Sequence, residues 1–309
     1  QNNFFGEEVD KPFKPKFSIG SGLYVLDGDI KSDNSSVFKG TAGFNAGMKF
    51  DFSKMRALVC GSTKGMGKAT ALQFAELGAE VILVARNKAL LKETIAMLPT
   101  INNQSHHFIC ADFSKPETLE KAVNDIVTKD NPVHILVNNT GGPPPGELVD
   151  SNLERFFQGF SQHVICNQIL VKAVIPGMKK NKYGRIINII STSVKQPIKG
   201  LGVSNTIRGA VASWAKTLSN EVAPFGITVN NILPGATNTG RLTSLFQHIA
   251  KEKNMSPEKI KEEWVQMIPA GRICEPEEIA NAIIFLASPF AAYINGINLP
   301  VDGGRLSCL

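Results

Sequence analysis

The chain has 309 residues, 43% of them hydrophobic and 19% charged, a balance that excludes a mostly disordered polymer and a small disulfide-stapled module. Its 33 Lys and Arg outnumber 27 Asp and Glu for a net charge of +6. The cations are scattered rather than gathered in a tract, so no nucleic-acid partner is expected and small anions fit better. No run of about 18 apolar residues occurs, so no membrane-spanning helix is coded.

Five cysteines stand singly at Cys60, Cys110, Cys166, Cys274 and Cys308. Without a CxxC pair neither a metal site nor a redox pair is expected, and a reducing, cytoplasmic setting fits. The first residues lack the basic stretch followed by an apolar one that marks a secretory leader. Composition shifts near residue 54. Ahead of it, Phe38, Ala42, Phe44, Ala46, Met48, Phe50 and Phe52 fall on one parity, the period of a half-buried strand. Phe17 to Leu26 is also strand-like, with Asp27-Gly28 as a turn after it. Two strands cannot close a barrel. Residues 1–53 are therefore read as a leader or extension: a hairpin arm, a disordered leader, or sequence ahead of a natural start at Met55.

From Arg56 onward strand and helix patterns alternate. Strands are expected at 56–60, 80–85, 107–111, 133–137, 185–190, 227–232 and 297–300. Helices are expected at 65–77, 87–97, from Pro116, at 153–180, 204–223 and 276–287. Continuous apolar strands joined by helices mean parallel βαβ units with both sheet faces covered. The expected fold of residues 54–309 is α/β, a doubly wound parallel sheet of Rossmann type with about seven strands.

Directly after the first strand comes Gly61-Ser62-Thr63-Lys64-Gly65-Met66-Gly67 and then a helix. Glycines allow a tight turn and close backbone approach, and a helix N-terminus offers free N–H groups to a pyrophosphate. In this strand–turn–helix setting the motif predicts dinucleotide binding. The second strand runs into Arg86, and no acid stands at Ala85, Arg86 or Asn87 to bond a ribose 2′-hydroxyl. Arg86 with Lys64 offers two cations to a 2′-phosphate instead, so NADP(H) is the expected cofactor.

That turn resembles the short-chain dehydrogenase/reductase family, as do Asn138-Asn139-Thr140-Gly141, the segment Pro234 to Thr239, and the ending Val301-Asp302-Gly303-Gly304. The similarity spans about 55–305 and looks nearest to the 3-oxoacyl-carrier-protein-reductase-like branch. The resemblance implies that Asp112 and Phe113 flank the adenine. It likewise implies that Asn138, Thr140 and Gly141 line the cofactor groove, and that Pro234, Gly235 and Thr239 meet the nicotinamide end. A homodimer or homotetramer, with the last helix and strand at an interface, is also implied.

The family's chemistry uses an Asn, a Ser, a Tyr and a Lys. Ser191 matches the serine, but the tyrosine position falls on Ser204, the lysine position on Arg208 and the asparagine position on His163. The only tyrosines, Tyr24, Tyr183 and Tyr293, lie elsewhere along the chain. An aliphatic hydroxyl is a far weaker acid than a phenol, and Arg208 cannot shed its proton, although it can bond ribose hydroxyls. His163 has a side chain suited to proton transfer, or it is a polar filler in place of the asparagine.

Pro143-Pro144-Pro145 should form a stiff wall. Between Thr239 and Pro269, Leu242, Leu245, Phe246, Ile249, Met255, Trp264, Met267 and Ile268 suit either a lid over an apolar or acyl substrate or a helix pair packed on the core. Two functions remain in play. The first is an NADP(H)-dependent oxidoreductase of a small carbonyl or alcohol with altered proton-transfer residues. The second is a catalytically weak or inactive dinucleotide sensor or oligomer subunit.

Overall fold

The computed structural model describes residues 50–128 and 131–308. The expected strands at 17–26 and 38–49 lie outside the described residues, and Phe50 to Phe52 is not in a strand. From Asp51 on the chain forms one unit. Phe52 already belongs to it: its ring meets Phe74 edge to face at 5.4 Å, and its N–H donates to Leu77 O at 2.9 Å.

Seven strands carry the fold: β1 (Arg56–Cys60), β2 (Glu80–Ala85), β3 (His107–Cys110), β4 (Ile135–Asn138), β5 (Gly184–Ile189), β6 (Ile227–Pro234) and β7 (Asn298–Val301). They form one sheet in the order β3-β2-β1-β4-β5-β6-β7, and every pairing is parallel. The order reverses between β1 and β4, which opens a crevice at their C-terminal ends where such sheets take ligands.

One face is covered by α1 (Gly65–Glu76), α2 (Lys88–Met97) and α9 (Pro276–Ala287), the other by α3 (Pro116–Asn124), α5 (Cys166–Lys180) and α6 (Gly202–Val222). On the second face Leu58, Leu136, Ile186 and Val229 pack against Leu119, Leu170 and Val174. Each such side chain, fully withdrawn from water, contributes about 1.5–3 kcal/mol. Central strands buried on both sides explain why most of their residues are apolar.

One expected helix is divided. Residues 153–180 form α4 (Leu153–Phe160), a π-helical turn (Ser161–Ile165) and then α5. The segment between Thr239 and Pro269 supplies two further helices, α7 (Gly240–Lys253) and α8 (Pro257–Gln266). Both readings of its apolar residues find a counterpart. Phe246, Ala250 and Ile260 make a small core of their own with Trp264 beside it, while Leu242, Leu245 and Trp264 also border a cavity.

A polar feature crosses this apolar sheet. Asn138, Asn188, Asn231 and Asn298 stand side by side on β4, β5, β6 and β7, and each Nδ2 donates to the next Oδ1 at 2.8 Å. The ladder satisfies amides that would otherwise be costly to bury, and it pins the register of four strands. Asn138 Oδ1, at its end, is buried with no partner.

Candidate active site

The turn between β1 and α1 is shaped by its glycines. Gly61 has φ +59° and Gly65 φ +51°, backbone that side chains disfavour. A methyl group on Gly61 would lie 2.7 Å from Asn139 Nδ2, and one on Gly67 would collide with Gly61 O. Gly67 therefore shapes the turn from behind rather than lining the groove. Lys64, the residue before α1, gives no side-chain cap, and no acid stands in the first turn of the helix. By contrast α2, α4, α7 and α8 are capped by Asn87, Asn152, Thr239 and Ser256. The first N–H groups of α1 stay open, as an anion site requires.

A cavity of about 560 Å³ extends from this turn toward β2 and β3, bordered by Gly61, Thr63, Lys64, Arg86, Asp112 and Phe113. Asp112 is held below the usual carboxylate range, first by the Ser114 amide, which donates at 3.0 Å, and also by nearby Arg86. A second cavity of about 690 Å³ opens toward β5 and β6, bordered by Met66, Ser191, Ser204, Arg208, Pro234, Gly235 and Thr239. The two share Gly61, Lys64, Arg86 and residues 139–142, so they form one continuous groove. Its length, its open helix N-terminus and its paired cations suit a phosphorylated dinucleotide, with the adenine end near Asp112 and the other end near Ser191.

Asn138, expected in the groove, is absent from its lining; its amide belongs to the interstrand ladder. The neighbouring Asn139 takes that place, with Nδ2 donating to Cys60 O at 3.3 Å. Thr140 and Gly141 line the groove as expected. A sequence signal existed: asparagines on three adjacent strands, Asn138, Asn188 and Asn231, stand at one level and can satisfy each other, leaving the residue after β4 free.

Ser191 follows β5, and its Oγ accepts from Ser193 N at 3.1 Å, which leaves its O–H free toward the cavity. Ser204 and Arg208 are four residues apart on α6 and so share one face of it. The start of α6 is anchored: Gly146 N donates to Gly200 O at 2.7 Å and Gly202 N to Gly146 O at 3.1 Å. This clip ties the loop carrying Pro143–Pro145 to the helix that carries Ser204. Arg208 is 7% exposed; its Nη1 donates to Ile189 O at 3.0 Å, and its Nε is buried without an acceptor. Burial, and next Arg241, lower its pKa to about 9.

His163 lies in the π-helical turn, 2% exposed and outside the groove lining, with Nε2 3.2 Å from Gly141 O. Burial, and after it Arg208, drive its pKa down to about 2. It is a buried, neutral side chain set beside the Gly141 backbone rather than on the groove lining. Tyr183 lies at the other end of the sheet, its OH donating to Ala287 O at 2.7 Å, and Tyr293 is fully exposed in the loop before β7. Tyr24 lies outside the described residues.

Arg241 and Arg305 also border the second cavity, and the sequence reading did not select them. Arg241 Nη1 donates to Gly142 O at 2.9 Å and Nη2 to Pro143 O at 3.3 Å. Arg305 lies over the Trp264 ring, 4.4 Å from its centroid. Each follows a segment already singled out, two residues after Thr239 and one after Gly304, and that proximity was the available signal.

Fold and groove together define a Rossmann-type dinucleotide-binding protein with a hydroxyl and guanidinium centre at its far end. A family model described as enoyl-(acyl carrier protein) reductase matches residues 61–305, and the chain belongs to the short-chain dehydrogenase/reductase family. It is 32% identical to the 3-oxoacyl-[acyl-carrier-protein] reductase FabG of Vibrio cholerae over 80% of this chain and 96% of that one. Among solved structures, L-sorbose reductase from Gluconobacter frateurii, complexed with NADPH and L-sorbose, aligns with TM-score 0.79 and 29% identity, covering 85% of this chain and 100% of that one. A short-chain oxidoreductase from Pseudomonas aeruginosa PAO1, described as containing an atypical catalytic center, aligns with TM-score 0.75 and 25% identity, covering 84% and 100%.

Proposed function

We propose that this chain is an NADP(H)-dependent oxidoreductase that interconverts a carbonyl and an alcohol without a phenolic proton donor. The observation that carries the proposal is the continuity of the groove from the uncapped N-terminus of α1, flanked by Lys64 and Arg86, to Ser191, Ser204 and Arg208. NADP(H) fits on the chain's own terms: an open helix N-terminus for the pyrophosphate and two cations for the 2′-phosphate. Relatives with NADPH bound support it. When bound, the cofactor supplies or accepts the hydride.

In the direction of reduction, the Ser191 O–H holds the substrate carbonyl oxygen. Negative charge that develops on this oxygen is stabilised by the Arg208 guanidinium, which stays protonated at neutral pH although burial lowers its pKa. The carbonyl oxygen takes a proton that Ser204 relays from water, which balances the hydride that the bound cofactor would supply to the carbon. Arg208 would also hold the cofactor ribose, in the place of the family's lysine. Loss of a tuned acid costs about 10²–10⁴-fold in rate, so turnover is slow but real. A homodimer or homotetramer is part of this reading. Exposed Leu153, Phe157 and Phe160 on α4, and Phe285 and Tyr293 near the last helix and strand, are apolar surfaces that a second copy can cover.

The test is a screen of aldehydes, ketones and acyl thioesters against NADPH consumption, with Ser191→Ala as control. Turnover that falls on substitution supports the reading. Tight NADPH binding with no oxidation of any mixture would favour a dinucleotide sensor.

A further inference from the structure

The substrate end of the groove carries more positive charge than the cofactor can use. Arg208, Arg241 and Arg305 all border the second cavity, and among the described residues no Asp or Glu lines it. None of the three belongs to an ion pair among the described residues. Asp302 is the carboxylate that acts on Arg305, but its oxygens already accept from Gly304 N at 3.0 Å and Leu306 N at 2.8 Å.

Arg208 and Arg241 meet at one point. A methyl group on Gly142 would lie 2.7 Å from Arg241 Nη2 and 3.2 Å from Arg208 Nη2. Arg208 is buried and Arg241 exposed, and two guanidinium groups held at one glycine repel each other. Burial lowers the pKa of all three arginines, and of the three only Arg305 has a carboxylate, Asp302, acting against that shift. Cations gathered at one point of a pocket are a standing attraction for an anion. The cofactor does not supply that anion here, because its phosphates fall to α1, Lys64 and Arg86, and its redox ring carries no negative charge.

The walls between these cations are apolar. Ile198, Leu201, Leu245 and the Trp264 ring share the same cavity. Planar guanidinium groups match carboxylate and phosphate oxygens two at a time. We propose that the substrate carries an oxyanion, a carboxylate or a phosphate, close to its reacting carbonyl, held between Arg241 and Arg305 with Arg208 beside the carbonyl oxygen. The proposal rests on the oxidoreductase reading above and narrows its substrate class.

The experiment uses the full chain. NADPH binding is first measured by fluorescence. The loaded protein is then given two probe pairs, acetoacetate against methyl acetoacetate and dihydroxyacetone phosphate against dihydroxyacetone. The charged member of one pair should show a kcat/KM at least about tenfold higher, as expected for a charge-assisted contact, and the pair that responds tells carboxylate from phosphate. Arg305→Gln and Arg241→Gln should each erode that preference through KM while NADPH affinity holds. Equal kcat/KM within both pairs on NADPH-loaded protein overturns the proposal and leaves the oxidoreductase reading intact. So does a loss of NADPH affinity in the arginine variants as large as the loss of preference, because the cations would then serve the cofactor. If NADPH does not bind, the oxidoreductase reading fails on its own; calorimetry of the same pairs on the cofactor-free protein then decides, with equal affinities again rejecting the anion site.

Discussion

Asn138 Nδ2 donates to Asn188 Oδ1 at 2.8 Å between the two central strands, and neither residue is more than 3% exposed. Asn188 in turn donates to Asn231, so it is the middle link on which both neighbours depend. Asn188→Leu should strand a donor on Asn138 and an acceptor on Asn231 in a dry interior. At about 1–3 kcal/mol for each of the two orphaned groups, the loss should be roughly 2–6 kcal/mol. Urea unfolding at neutral pH measures it; a loss below about 1 kcal/mol would mean that the ladder is not load-sharing.

Arg86→Ala and Lys64→Ala test the cofactor assignment. Each removes one charge-assisted partner of the 2′-phosphate and should weaken NADPH about 10–100-fold while NADH binding changes little. Fluorescence titration of both cofactors reads the difference. Equal weakening of the two would assign the cations to the pyrophosphate.

The phosphate turn depends on missing side chains. In Gly67→Ala the new methyl must displace Gly61 O, so the variant should lose about 1–3 kcal/mol of stability and bind NADPH far more weakly. Gly209→Ala is the control. Nothing lies within 4 Å of a methyl there, and in the middle of α6 alanine should stabilise by about 0.4–1 kcal/mol. Thermal unfolding with and without NADPH separates the two effects.

His163 makes a pH prediction. Its folded pKa of about 2 is far below the ordinary histidine value of 6.5. Between these values the unfolded chain binds the proton and the folded chain refuses it, so stability falls as pH drops below about 6.5. His163→Gln should flatten that acid limb in denaturation curves taken from pH 7.5 to 4.5. Nuclear magnetic resonance should find no His163 titration between pH 5 and 8; a midpoint near 6.5 would refute the buried, neutral assignment.

The proton-transfer position can be rebuilt. Ser204→Tyr combined with Arg208→Lys restores the residue pair that the family uses. If the missing phenol limits the rate, kcat should rise by about 10²–10⁴-fold on any carbonyl the protein reduces. The pH–rate profile should gain the limb of a titrating phenol. A slower enzyme would mean that the pocket is built around the smaller hydroxyl.

The sheet was readable because its strands are apolar runs punctuated by glycine and proline, and β1, β2 and α9 match the expected limits residue for residue. Local pattern carries that information. Ser191, Ser204 and Arg208 each keep a fixed distance from a recognisable strand or helix, and all three border the second cavity. Asn138 lies outside the groove lining because its Nδ2 is committed to Asn188, 50 residues away, a pairing that the assembled sheet makes. Arg241 and Arg305 escaped for a similar reason: a surface arginine and a pocket arginine look alike until the fold brings Gly142 and Trp264 against them. The π-helical turn has no signature in the apolar spacing, and its effect, His163 facing Gly141, is visible only in three dimensions.

That turn also separates two duties along one rod. An added residue in a helix shifts everything beyond it by about 100° around the axis. Below the turn, Leu170, Val171 and Val174 stay locked in the core. Above it, α4 leans on α6 through Gly159, where a methyl would stand 3.0 Å from Ile207 Cγ1, and shows Phe157 to the outside. Gain or loss of one residue at 161–165 would act like turning a screw, re-aiming the outer half of the rod while its inner half keeps its seat. The register of this turn therefore sets which side of α4 meets α6 and which side faces outward, while α5 keeps its place in the core.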